Sequence, residues 1–101
     1  MYYYVTDAVE QKYQSWCQTK REAYMELYEW FKEARQRLDW LMATVARNHL
    51  RSICYSQKTQ NSWTLHYEVG NEVFEITVLR DEVQIMHNGG LIHDYVIVKC
   101  S

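Results

Sequence analysis

No proline occurs anywhere in the chain, and no glycine precedes Gly70. These two residues are the strongest local breakers of regular structure. Residues 7 to about 47 therefore hold nothing that must end a helix. Cysteine is also scarce. Cys17, Cys54 and Cys100 are odd in number, with no Cys-x-x-Cys or Cys/His spacing. That excludes a disulfide framework and the common zinc motifs, and a reducing, cytoplasmic setting is expected. No apolar run approaches the roughly 20 residues that span a bilayer. The segment from Met1 to Asp7 lacks a basic stretch and a cleavage site, so neither a membrane nor a signal peptide is expected. Gly70 and Gly89-Gly90 follow strand-like runs but open no helix, so they form no phosphate loop.

Charge of one sign is lacking too. The net charge is −2. Residues 1–61 carry nine Lys/Arg against seven Asp/Glu, and residues 62–101 carry two against six. A simple nucleic-acid binder is normally basic, so nucleic acid is disfavoured as a partner. Aromatic residues are plentiful instead, with nine Tyr and four Trp among 101 residues. One small core cannot bury them all, and Tyr and Trp make good partner contacts.

The expected fold class is α+β in one domain over 1–101: a two-layer sandwich of an N-terminal amphipathic helical segment on a four- to five-stranded antiparallel meander. Residues 1–6 are extended, with Tyr2–Val5 a candidate strand, 7–47 helical and 51–100 the meander. Asp7 with Glu10, and Thr19 with Glu22, have capping-box spacing. They predict helices over about 7–18 and 20–47, separate or fused. In the second, Tyr24, Leu27, Tyr28, Phe31, Ala34, Leu38, Leu41, Met42 and Val45 share one face. Seven of these also fit heptads, but Tyr28, Trp30 and Met42 widen the stripe, which favours packing on a sheet over a coiled coil.

From Leu50 the period becomes two. Trp63, Leu65, Tyr67 and Val69 alternate with Thr64, His66 and Glu68, and Gly70-Asn71 supplies a hairpin turn. That turn pairs Tyr67 with Phe74, Leu65 with Ile76 and Trp63 with Val78, all apolar on one face. Strand 82–87 follows, placing Val83 opposite Val78 and Ile85 opposite Ile76. The last strand is 95–99. A tight Gly89-Gly90 turn sets Asp94 beside Ile85, whereas a longer loop sets Val96 there. Residues 51–57 predict a further strand. A strand at 2–5, then helix, then four-stranded meander, resembles the cystatin fold in element order. The Gln-x-Val-x-Gly loop and Pro-Trp hairpin of that family are missing, so the resemblance implies no function.

Five groups of residues are candidates for chemistry. His66 and Glu75 face each other across strands and read best as a polar pair. His87, His93 and Asp94 surround Gly89-Gly90, but their spacing fits no common metal site. Cys17 and Cys54 lack a catalytic context and read as small buried hydrophobes. Arg35, Arg37, Arg47, Arg51 and Lys58 form a basic stretch suited either to phosphates or to the helix dipole. Trp40 points nearly opposite the apolar stripe, among Gln36, Arg37 and Arg47, with Met25 further back. That is the composition of a protein-binding anchor, unless the first helix covers it.

The expected function is therefore non-enzymatic, with no cofactor and no metal. The chain reads as a protein that occupies a surface of another protein, as inhibitor, adaptor or regulator, in the manner of small phage inhibitors of host or defence proteins. A homodimer through leftover aromatic surface is expected. The alternatives are a nucleic-acid-associated regulator using the 35–58 stretch, and a small enzyme or ligand pocket between helix and sheet.

Overall fold

A computed structural model describes residues 1–101. Its elements are β1 (Tyr2–Asp7), β2 (Gln14–Cys17), α1 (Lys20–Arg47), β3 (Ser52–Lys58), β4 (Trp63–Val69), β5 (Glu72–Val78), β6 (Glu82–His87) and β7 (Gly90–Cys100). One helix packs on one seven-stranded sheet, ordered β2-β1-β7-β6-β5-β4-β3 and antiparallel throughout. The α+β class holds. The sheet has seven strands, however, and the helix is not N-terminal, because a β-hairpin precedes it. With two strands before the helix, the cystatin-like element order does not hold.

Residues 7–18 depart from the expected helix for a local reason. Asp7 Oδ1 accepts the Val9 N–H at 3.0 Å, and the Asp7 carbonyl accepts the Gln11 N–H at 2.8 Å. This is turn chemistry open to Asp as readily as a helix cap. Gln11 then enters the left-handed region at φ 57°, and the chain reverses into β2. Strand pairing sets Trp16 beside Tyr4 and Ser15 beside Val5.

Helix α1 starts where its capping box predicts. Thr19 accepts the Glu22 N–H at 3.1 Å, and Glu22 reaches back to the Gln18 N–H at 3.1 Å. Its last turn closes with Asn48 donating to the carbonyls of Ala46 and Val45. Ala23, Leu27, Phe31, Ala34 and Leu38 are buried against the sheet, while Tyr28, expected on the core face, is exposed. Trp30 joins the core edge instead, meeting Tyr95 edge-on at 5.0 Å.

The meander registers match the apolar pattern: Tyr67 pairs with Phe74, Leu65 with Ile76, Trp63 and Val83 with Val78, and Ile85 with Ile76. The last strand follows neither expected register. Its turn is tight, at Asn88-Gly89, with φ of 50° and 84°. A β-bulge then intervenes, so that Met86 faces Leu91 but Ile85 faces His93. The extra residue turns His93, Tyr95 and Ile97 toward the helix and Asp94 toward the open face. Tyr95 and Ile97 continue beside Asp7 and Val5 of β1.

Candidate functional site

Two surfaces carry the chemistry, and they meet at Glu33 and Arg37. The first is the outer face of α1. The core residues repeat at helical spacing, so at 100° per residue the opposite stripe runs through Met25, Gln36, Trp40 and Arg47. Trp40 is 69% exposed. No first helix exists to cover it. Beside it lies an open groove of about 640 Å³ lined by Glu33, Gln36, Arg37, Leu38, Leu41 and Phe74. Arg37 is held by Glu33 at 3.8 Å, and Arg47 Nε donates to the Ala43 carbonyl at 3.3 Å. Met25 is exposed on the same stripe, about 22 Å along the helix from Trp40 by helical rise.

The second is a cleft of about 480 Å³ between the helix and the β1–β2 hairpin. Its floor is Trp30 and Tyr95, its rim Lys12, Tyr13, Glu33 and Arg37, and its end wall Asp7, Glu10 and His93. Asp7 is only 6% exposed. Oδ1 accepts from the backbone N–H of Val9 and of Asp94, both at 3.0 Å, and Oδ2 lies 2.6 Å from His93 Nδ1. Burial pushes this carboxyl up, but hydrogen bonds from Asp94, His93, Val9 and Glu10 outweigh it and hold it below the usual value. These hydrogen bonds favour the ionised carboxylate at this position. Glu10 Oε1 stands 3.9 Å from the same His93 nitrogen. Burial raises the Tyr95 hydroxyl, with the Asp7 charge adding to it, so that phenol stays neutral.

The other candidates are dispersed. His66 and Glu75 do pair in register, with Nδ1 3.8 Å from the carboxylate. His66 also stacks on Tyr55 at 4.5 Å. His87, His93 and Asp94 do not converge: His87 stacks on Phe74 and meets Glu72 at 3.3 Å, while Asp94 faces the far side against Glu82. Cys17 is buried in β2, not on a helix, and its thiol is pushed up by burial and then by Glu26 and Glu22. Cys54 is exposed in edge strand β3, where a buried hydrophobe was expected. The basic stretch is divided. Arg35 and Lys58 flank Trp63, Arg37 lies in the two clefts, and Arg51 meets Glu68 at 4.0 Å.

The triad of Asp7, Glu10 and His93 was missed in the sequence. Asp7 and His93 are 86 residues apart, and no motif joins them. The one legible signal was Asp7 with Glu10, which mimicked a helix start. Comparison with protein-family models, curated proteins and solved structures finds no significant match to this chain.

Proposed function

We propose that this is a non-enzymatic binding protein that occupies a surface of another protein, as inhibitor, adaptor or regulator. The observation that carries the reading is the exposed Trp40 indole at the groove floored by Leu38, Leu41 and Phe74. A large stiff side chain loses little rotamer freedom on burial, and Trp and Arg dominate interface energetics. Arg37 and Arg47 flank it, so the partner it fits offers an apolar pocket with an acidic rim. Three free cysteines suit a reducing, cytoplasmic setting, and no helix is long and apolar enough to cross a membrane.

A nucleic-acid role has weaker support, since the basic residues of 35–58 are divided among separate surfaces and engaged by Asp39, Glu33, Glu68 and Trp63. The cleft at Trp30 and Tyr95 is the observation behind a third reading, a small-ligand pocket.

The test compares capture from native lysate by the wild-type protein, Trp40→Ala and Arg37→Glu, read by quantitative mass spectrometry. One protein should be retained by wild type and depleted about tenfold or more by Trp40→Ala. The melting temperature should hardly change, because Trp40 is solvent-exposed. Equal capture by wild type and both variants, for every retained protein, would remove this surface from the function.

A further inference from the structure

We propose that Asp7, Glu10 and His93 bind one first-row transition-metal dication, of which zinc is the natural probe. Their donor atoms, one imidazole nitrogen and two carboxylate oxygens, all lie within 4.8 Å of one another. Ligands sharing a metal at about 2.0–2.2 Å stand some 3–4 Å apart. Glu10 stands within that range of His93 Nδ1 at 3.9 Å, while Asp7, at 2.6 Å, is now drawn closer by a direct hydrogen bond that a metal would open.

The site is built by the backbone and not merely crowded. Two main-chain N–H groups hold Asp7 Oδ1, which leaves Oδ2 turned toward His93. Such outer hydrogen bonds are what orient metal-binding carboxylates. The tight turn after Asp7 returns Glu10 to the same spot. The bulge in β7 does the third part. Without its extra residue His93 would sit opposite Gln84 on the far face of the sheet, whereas with it His93 faces Asp7. Bulges commonly re-aim a side chain at such sites.

A metal takes the place of the hydrogen bond between Asp7 Oδ2 and His93 Nδ1. Nδ1 ligates only in the tautomer that carries the ring proton on Nε2. No redox step is involved. Water from the cleft completes the coordination shell. The nitrogen donor and the small number of oxygens select zinc, copper or nickel over calcium and magnesium, which need more oxygen ligands.

Isothermal titration of the folded protein with zinc tests the site. One zinc per chain should bind at micromolar concentration. Glu10→Gln, which alters a half-exposed side chain outside the strands, should weaken binding about tenfold or more. His93→Gln should do the same, with circular dichroism confirming that it is folded. Cys54→Ser should bind like wild type, which separates this site from the exposed thiol. The proposal is overturned by the absence of stoichiometric binding, by unchanged affinity in Glu10→Gln, by loss of binding in Cys54→Ser, or by equal affinity for calcium.

Discussion

At the scale of single residues, two carboxyls on the strands flanking β7, Glu82 of β6 and Asp7 of β1, pull stability in opposite directions with pH. On the open face Asp94 lies against Glu82, and Glu82 is pushed up to about 7 by the hydrogen bond to Asp94, then by burial and by the Asp94 charge. Asp94 Oδ1 is buried without a hydrogen-bond partner beside it. A carboxyl whose folded value exceeds its ordinary 4.5 binds more protons when folded. Its stabilising effect is complete below that value and is lost as pH rises through about 7. Asp7 behaves conversely, since its value is lowered. Its contribution is complete above the ordinary 3.8 and is lost as the solution becomes more acidic. Urea unfolding of wild type and Glu82→Gln between about pH 5 and 8 isolates the first effect. The variant should gain on wild type as pH rises toward about 7 and level off above it. Parallel curves would mean that Glu82 and Asp94 share no proton.

At the scale of elements, α1 is secured by a narrow set of side chains. Phe31 and Leu38 are buried, and Phe31 meets Trp63 at 5.4 Å. Phe31→Ala or Leu38→Ala should cost about 2–5 kcal/mol, a large share of a small domain's stability. A melting curve like wild type for either one would mean that the helix does not pack by this face. This helix and the β3–β6 meander were legible because both patterns repeat: the 3.6-residue stripe ran over about six turns, and alternation agreed with turn chemistry at Gly70-Asn71. The β1–β2 hairpin was not legible as such. Its second strand has four residues and no run of β-branched side chains, and Asp7 with Glu10 is equally good local chemistry for a turn. The bulge at Ile85/Met86 leaves no compositional mark at all. It is imposed by tertiary packing, which buries Tyr95 and sends Asp94 outward. Trp40 was legible as an outward residue because helical geometry alone fixes its direction, whereas the Asp7–His93 pairing needed both of the illegible features.

At the scale of the whole molecule, β7 is the seam. It joins the β1–β2 hairpin to the meander, with fully buried Val5 opposite Ile97, so the chain ends are neighbours and the helix spans both halves. This arrangement covers one face of the helix and leaves the other bare. On the bare side Met25, Glu29, Gln36 and Trp40 lie within one stripe, directly opposite the buried residues at helical spacing. An antiparallel pairing of two such helices, pivoting between Lys32 and Glu33, sets Met25 of one copy against Trp40 of the other. It also sets Glu29 against Gln36 and Lys32 against Glu33. The apolar ends meet apolar ends, and the central charges are of opposite sign, which suits a two-fold interface. We therefore expect a concentration-dependent homodimer in the free protein, formed through the surface that a partner would compete for. Sedimentation velocity over a range of micromolar concentrations should show monomer passing to dimer. Trp40→Ala and Met25→Glu should each hold the protein monomeric while leaving its melting temperature close to wild type. A single monomeric species for wild type at high micromolar concentration would exclude the dimer. A dimer that persists in both variants would place the contact elsewhere, with the unpaired edge of β3, between Ser52 and Lys58, the next surface to disrupt.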